Sequence, residues 1–557
     1  MGAALVGDDG RLAKGLTMAF KQLSFREAAR QKVLEGATLL ADAVRVTLGP
    51  KSKCVLIEKK WGSPIVCNDG VTIAKEVQLK DPQANLGAQI LRQAAERTGD
   101  AVGDGTSTST VLAHAMFAEG LKNIAAGASA IDLKRGLDRG VKLAVSAIRA
   151  LSHPVTSRKE KAQVATISAH NDSVLGELVA DAMEKVGGEG VVSVEEAKGI
   201  ETSVEVVEGM QFDRGYLSPY FVTDPEKMSA ILEEPYILLY EKKISQLKEL
   251  LPLLDEVVKV RGSLLIVAED FDAEVLATLV VNRLRGVLSC AAVKAPGYGD
   301  RRQAMMEDIA VLTGAQFIAE ALGLKLENVR LKELGRASRV EITKETTTII
   351  GGKGEKSAIT ARCQDLKRQI DKTTSDYDRE KLQERLAKLS GGVAVIKAGA
   401  PSEAEMKAQK EALEDAISST KAAIAEGVVP GGGWALLRAV DAVQREETQC
   451  EGDERTGLRI LRRALEMPTR QIAENSGYDG GVVVMQMRGG TGAYGFDAAK
   501  GEYVDLTAAG IIDPTKVVRM ALENAVSVAG VLLLTEATLT EIPEPPESAH
   551  AGRSLEE

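Results

Sequence analysis

The run Gly103-Asp104-Gly105-Thr106-Ser107-Thr108-Ser109-Thr110, leading into Val111-Leu112-Ala113, gathers residue types that suit a phosphate group. Its glycines let the backbone approach a ligand closely. Its hydroxyl residues open a helical pattern, and the free N–H groups and positive end of a helix N-terminus favour an anion. Asp104, at the mouth, could hold the Mg2+ that accompanies a nucleotide, because that ion prefers carboxylate and phosphate oxygens. The run is not a Walker A loop, since no Gly-Lys-Ser/Thr follows. A plain helix N-cap with spare hydroxyls explains the same spacing, and the residues alone leave both readings open.

Two other glycine turns could face this loop. Thr47-Leu48-Gly49-Pro50 closes one helical pattern, and Gly431-Gly432-Gly433 precedes another that starts near Trp434. Each by itself reads as a loop. Asp69, in Asn68-Asp69-Gly70, reads locally as a tight turn. Asp415 sits inside the helical stretch 411–425, where an aspartate is ordinarily solvated. Spacing does not link these pieces.

The elements that must position them are patterned in three stretches. From about Ser24 to Ser152 the periodicity is helical, with Val33, Leu34, Ala37, Leu40, Ala41 and Val44 on one face. Cys54–Glu58 and Ile65–Cys67 read as a hairpin, and further helices are expected near 86–97, 106–125 and 130–151. In the middle, short apolar strands at 263–268 and 288–294 alternate with helices at 273–285 and 300–313, which predicts a parallel or mixed sheet covered by helices. The charged stretch 358–389 reads as a solvated helical pair. Helical patterns return at 402–426, 456–475 and 514–535. An all-helical start and end around an α/β middle predict one domain built from both chain ends, with the rest inserted.

Composition narrows the class. At 557 residues, two to four domains are expected. Aromatics make up only 3%, so the cores must be built from Ala, Val, Leu and Ile. A net charge of −10 argues against general nucleic-acid binding, which needs a basic footprint. Cys54, Cys67, Cys290, Cys363 and Cys450 show no CxxC spacing, and they read as small buried residues of a reducing compartment. No stretch approaches the roughly 18 apolar residues of a membrane span. Residues 1–17 lack the apolar core of a secretory signal, and Met18 opens what reads as the true domain start. A cytoplasmic protein without membrane contact is expected.

Several long blocks, in order, resemble the group I chaperonins from about Met18 to Pro543: Val46–Pro50, Asp104–Thr108, Asp132–Gly136, Val206–Phe221, Val293–Arg302, Thr374–Leu389, Glu426–Gly433 and Asp513–Val517. The resemblance implies a multidomain α and α/β fold. Residues 1–18 are then an N-terminal extension, and 19–150 with 426–543 form a helical equatorial ATPase domain. Residues 151–207 with 394–425 form a small intermediate domain, 208–393 an α/β apical domain, and 544–557 a disordered tail. Hinges are implied at Pro154 and Gly427, and at Gly209 and Gly392.

The resemblance also assigns roles. Thr47, Leu48, Gly49 and Pro50 would wrap the phosphates of ATP together with Asp104, Gly105, Thr106, Ser107 and Thr108, with Asp104 as Mg2+ ligand. Gly432, Asp497, Ala498, Ala499 and Asp513 would meet base and ribose. Asp415 would position or activate the attacking water, and Asp69 would support the metal and hydrolysis. Tyr216, Tyr220, Phe221, Leu251, Leu254, Leu276, Val280 and Val281 match an apolar apical rim for unfolded clients and a GroES-type co-chaperonin. Heptameric rings stacked as a 14-mer are implied. Four features depart from the pattern. Asn68 stands where some members have Lys, so that K+ or another cation would supply charge. Ser107 stands for Thr and Asp497 for Asn, and an acidic Pro/Glu tail replaces the Gly-Met one. The tail motivates an alternative, a nucleotide-binding ring or scaffold with weak folding activity.

Overall fold

The computed structural model describes residues 21–541, apart from 60–63, 188–189, 198, 226, 320–322 and 374. The N-terminal extension and the acidic tail therefore lie outside the described residues. Contacts divide the chain into two units, Met1–Ser173 with Ser418–Glu557, and Val174–Ile417.

The first unit is a helical body. Its early helices are Arg26–Arg45, Pro82–Val102, Thr106–Ala125 and Ala130–Ala150. Its late ones include Trp434–Glu447, Gly452–Ala464, Met467–Asn475, Gly480–Gly489 and Thr515–Leu533. The apolar stripe Val33, Ala37, Leu40, Ala41 and Val44 is buried as its periodicity requires. With few aromatics to fill gaps, the helices close on small residues instead. A Cβ placed on Gly36 would lie 1.7 Å from the Ala84 carbonyl oxygen, and one on Gly87 would lie 2.0 Å from that of Val33. The helices Arg26–Arg45 and Pro82–Val102 therefore cross with their backbones touching. The expected helix at 456–475 is two helices, because Pro468 cannot continue one and sits in the first turn of the next.

Short antiparallel pairs tie this unit together. Lys21–Phe25 pairs with Ala537–Glu541, joining the two ends of the described chain. Val428–Pro430 pairs with Ile512–Pro514, Tyr494–Asp497 with Glu502–Asp505, and Val55–Ile57 with Ile65–Cys67 as the hairpin reading predicts.

The second unit contains a mixed sheet. Tyr236–Tyr240, Ser263–Ala268 and Ser289–Lys294 run parallel, and their apolar runs are buried. The sheet continues antiparallel through Gly335–Ile342, Thr347–Gly352 and Gly209–Phe212. The helices Leu247–Lys259, Ala273–Leu284 and Asp300–Thr313 join these strands. A separate three-stranded sheet sets Val393–Ala398 between Val191–Glu196 and Ser203–Val207. The charged pair is formed by Lys356–Lys372 and Asp376–Gly391. It is less solvated than its composition suggests. Asp308, 1% exposed, accepts hydrogen bonds from Arg362 Nε and Arg385 Nε, both at 2.7 Å, and so pins the pair to the Asp300–Thr313 helix.

Among the described residues no helix is long and apolar enough to cross a membrane. No disulfide joins any of the five cysteines. Cys67, Cys290 and Cys450 are buried as expected, whereas Cys54 is exposed and Cys363 half-buried.

Candidate nucleotide site

The Gly103–Thr108 loop joins two long helices. Gly103 ends Pro82–Val102 at φ 71°, and Gly105 precedes Thr106–Ala125 at φ 77°. Both lie in the left-handed region, which only glycine enters without strain. They are also hemmed in: a Cβ on Gly105 would lie 2.8 Å from Val517 Cγ1, and one on Gly103 would lie 2.4 Å from Ser418 Cβ. No side chain caps the helix that follows, so the first-turn N–H groups of Thr106, Ser107 and Thr108 head an uncapped positive end.

The Thr47–Pro50 turn lies against this helix start. Thr47 Oγ1 donates to the Val44 carbonyl oxygen at 2.8 Å, which commits its only hydroxyl hydrogen. In the 2.7 Å contact between Thr47 Oγ1 and Ser107 Oγ, the donor is therefore Ser107. Gly49, at φ 96°, is packed under Ile472, whose Cγ2 would lie 3.1 Å from an added Cβ. Asn475 fixes the turn from the side: its Nδ2 donates to the Arg45 and Leu48 carbonyl oxygens at 2.9 and 2.8 Å. Gln471 Nε2 in turn donates to Asn475 Oδ1 at 2.9 Å, which leaves the amide nitrogen facing the turn.

Asp69 caps the helix Gly70–Glu76, with Oδ2 accepting from Thr72 N at 2.7 Å and Oδ1 from Val71 N at 3.4 Å. It is a helix cap rather than the tight turn that its local sequence suggests. The helix it caps starts on the loop, since a Cβ on Gly70 would lie 2.3 Å from Ser107 Oγ and 3.0 Å from Thr106 Oγ1. Asn68, beside it, is half-buried.

A second uncapped helix start lies near Asp104. Gly432 and Gly433, at φ 65° and 79°, lead into Trp434–Glu447. Val429 is registered opposite Asp513, and a Cβ on Gly431 would lie 2.8 Å from Asp513 Oδ1. Thr469 Oγ1 donates to the Gly432 carbonyl oxygen at 3.2 Å. Burial, with the Asp104 carboxylate nearby, pushes the Asp513 carboxyl up to about 7, against the pull of the hydrogen bond from the Gly432 N–H. Asp104 Oδ1 accepts from its neighbour's N–H on Gly105, and Oδ2 accepts from Ser168 Oγ at 2.6 Å.

Gly432 also borders the Tyr494–Asp505 hairpin, where an added Cβ would lie 4.0 Å from the Phe496 carbonyl oxygen. Asp497 is buried, and its Oδ1 accepts from Ala499 N at 3.0 Å and Lys500 N at 3.1 Å, closing the hairpin turn. Ala498 is buried and Ala499 exposed. Tyr478 packs edge-on against Phe496, with centroids 5.0 Å apart, and Lys51 Nζ stands 6.0 Å over the Tyr478 ring.

Most of the predicted nucleotide residues thus belong to one neighbourhood of the first unit: Thr47 and Gly49, Asp69, the Asp104–Thr108 loop, Gly432, Asp513 and the 497–499 turn. Asp415 is half-buried on the helix Glu403–Glu426 and belongs to the second unit. Ser168, Thr469, Gln471 and Asn475 were not anticipated. The bonds of Ser168, Thr469 and Asn475 to this neighbourhood span tens to hundreds of positions, Gln471 acts through Asn475 four positions on, and no local pattern marks them.

Within the second unit the predicted apolar rim divides. Tyr220 is 63% exposed, Leu251 44% and Val281 42%, while Tyr216, Leu276 and Val280 are half-buried. Phe221 and Leu254 are core residues, because Phe221 is enclosed completely and Leu254 lies on the packed face of Leu247–Lys259. They support the rim from beneath and do not form its surface. On Ala273–Leu284, Val275 and Leu279 face inward, and Leu284 joins Val281 outside.

The donor set fits a hard cation held jointly with phosphate. Asp104 and Asp513 oppose each other electrostatically, Ser168 donates its hydroxyl hydrogen to Asp104, and two helix N-termini supply positive ends. Among the described residues no group of three or more His, Cys, Asp or Glu is arranged to hold a metal alone.

The chain is 69% identical over 528 residues to "Chaperonin GroEL 5" of Bradyrhizobium diazoefficiens, an alignment covering 95% of this chain and 98% of that relative. The profile of the TCP-1/cpn60 chaperonin family matches residues 40–543, which contain every part of the neighbourhood just described. A match of that extent leaves one assignment: the chain belongs to the TCP-1/cpn60 chaperonin family.

Proposed function

We propose that the first unit binds ATP with Mg2+ and hydrolyses it, and that the chain uses this cycle to fold non-native proteins. One observation carries the reading: two uncapped helix starts, each headed by left-handed glycines, lie in the neighbourhood of the carboxylates Asp104 and Asp513. Thr106, Ser107 and Thr108 would bind phosphate oxygens through N–H and hydroxyl groups, and Thr47–Pro50 would close over them. Asp69 would hold its helix start against Ser107, and Asp513, Gly432 and the 497–499 turn would receive ribose and base. Asp104, with phosphate oxygens, would hold Mg2+, which supplies charge neutralisation on the phosphates. K+ would supplement it beside Asn68. Asp415 would orient and deprotonate the attacking water.

Alignment along nearly the whole chain with a chaperonin favours this over the scaffold alternative. Residues 151–207 with 394–425 would act as the intermediate segment and 208–393 as the client-binding domain, with Gly209, Gly392 and Gly427 absorbing the movement. Tyr220, Leu251 and Val281 would take apolar segments of unfolded chains and of a GroES-type co-chaperonin by non-directional burial. Heptameric rings in the cytoplasm complete the reading.

Trp434 is buried in the first turn of the Gly432–Gly433 helix and reports on this site. Titration with ATP and Mg2+ is expected to change its emission saturably. Asp415→Ala should preserve that change and abolish phosphate release. An unchanged emission together with unchanged hydrolysis in the variant would overturn the assignment.

A further inference from the structure

Lys227 and Glu414, 187 positions apart in sequence, form an ion pair within the second unit. The lysine Nζ donates to both carboxylate oxygens, reaching Oε2 at 2.6 Å. A braced loop presents the lysine. The Thr223 and Asp224 N–H groups both donate to the Ser229 carbonyl oxygen at 3.0 Å, and Ser229 N donates back to the Asp224 carbonyl oxygen at 3.2 Å. Asp224 Oδ1 accepts from Lys227 N at 3.2 Å, and Thr223 Oγ1 accepts from Ile231 N at 2.8 Å. The stem is fixed to the rim helix Ala273–Leu284, because Arg283 Nη2 donates to the Val222 carbonyl oxygen at 2.6 Å. Glu414 lies on the helix Glu403–Glu426, next to Asp415. Adjacent residues of a hydrogen-bonded helix move together, so whatever holds Glu414 also holds Asp415.

We propose that Lys227 is a positioning residue for hydrolysis: its ion pair with Glu414 is a latch that restrains the Asp415 helix until the pair opens. The proposal rests on the hydrolysis reading above and names a control on it. In that reading 208–393 and 394–425 are separate segments joined through Gly209 and Gly392, and the helix turns about Gly427 to carry Asp415 to the attacking water. Lys227 belongs to the first of these segments and Glu414 to the second. An ion pair across a hinged joint survives in only one arrangement of that joint. Tied to the braced loop, the helix moves only with the whole 208–393 segment or after the pair breaks. The two side chains are 36% and 33% exposed, so water and salt compete for the pair. A fully buried pair would lock the helix, whereas this one sets a low barrier.

The test is steady-state phosphate release by the full-length assembly across a range of ATP concentrations with Mg2+ saturating. Lys227→Met and Glu414→Gln are each expected to raise kcat by about twofold to fivefold, the range that a half-exposed ion pair supports. KM for ATP should stay unchanged, because neither residue belongs to the unit that holds the nucleotide loop. Raising choline chloride at fixed K+ should bring the wild-type rate up towards that of the variants, since salt screens the pair only where it exists. The reversed pair, Lys227→Glu with Glu414→Lys, should return kcat to near the wild-type value. A kcat equal to or below wild type in both single variants would overturn the latch, and so would a reversed pair no closer to wild type than its single changes. Failure of the hydrolysis reading is separate: it would appear as Asp415→Ala turning over like wild type, whereas failure of the latch leaves that variant inactive.

Discussion

Ser168 donates its hydroxyl hydrogen to Asp104 Oδ2 at 2.6 Å, across 64 positions of sequence. The bond comes from the last residue of the helix Arg158–Ser168 and holds one oxygen of the carboxylate proposed to bind Mg2+. With Oδ1 turned to the Gly105 N–H, the carboxylate plane is set from both sides. Second partners of this kind orient a ligand, and their loss typically weakens metal affinity about 10- to 100-fold. Ser168→Ala should therefore raise the Mg2+ concentration needed for half-maximal change in Trp434 emission, and Ser168→Thr should restore most of it. Equal Mg2+ dependence in all three proteins would show that the bond does not position Asp104.

Asn475 acts on the Thr47–Pro50 turn. One amide nitrogen reaches two carbonyls of a turn whose own helix has just ended; Arg45 O also accepts from Leu48 N at 3.3 Å, whereas Leu48 O is held by Asn475. Asn475→Ala should leave helix content unchanged while nucleotide affinity falls by about tenfold, the worth of one to two buried hydrogen bonds. Equilibrium dialysis with ADP, beside far-ultraviolet circular dichroism, checks both parts. Loss of affinity with loss of helix would instead make Asn475 a general fold contact.

The contrast between these residues and the Gly103–Thr108 loop shows which features a linear reading can reach. The loop is legible because its glycines and hydroxyls are contiguous and its helix follows at once. Thr47 and Ser107 meet over 60 positions, and Asn475 reaches Leu48 over 427, so only the fold brings them together. The parallel strands at 263–268 and 289–294 carry apolar runs and are legible for the same local reason. Gly335–Ile342, with polar residues at alternate positions, becomes a strand through partners at 230–233 and 347–352. Asp308 is the sharpest case: an aspartate in a charged helix reads as solvated, yet two arginines from another helical pair bury it.

His114 gives the fold an acid limit. Its Nε2 lies 3.0 Å from Thr38 Oγ1, and burial, then the Arg45 charge, holds its pKa down from 6.5 to about 4, with Asp42 opposing weakly. Above about pH 6.5 the imidazole is neutral whether the chain is folded or not, so it adds no pH dependence. Between 6.5 and 4 the unfolded chain takes up a proton that the folded one refuses, and stability falls as pH falls. The ceiling on this loss is about 3 kcal/mol. His114→Gln keeps a polar partner for Thr38 and cannot titrate. The gap in urea midpoint between wild type and variant should therefore move in the variant's favour from pH 7 to pH 4.5. A gap that is the same at both values would exclude the histidine as the cause.

Gly36 and Gly87 are the places where an alanine should be least welcome. In an ordinary helix interior, Gly→Ala stabilises by up to about 1 kcal/mol through backbone entropy. Here the added methyl would meet backbone carbonyls at 1.7 and 2.0 Å, and a carbonyl in a helix cannot step aside as a flexible side chain can. The two helices would have to separate, which opens the core around Val33, Ala37 and Leu91. Gly36→Ala and Gly87→Ala are each expected to destabilise by about 2–4 kcal/mol, reversing the usual sign. Gly489 supplies the control: it ends a helix, and nothing lies within 4 Å of its would-be Cβ. Gly489→Ala should be neutral or mildly stabilising in the same thermal melt. If all three substitutions behave alike, the helices are not held at backbone contact, and the aromatic-poor core must be closed by other residues.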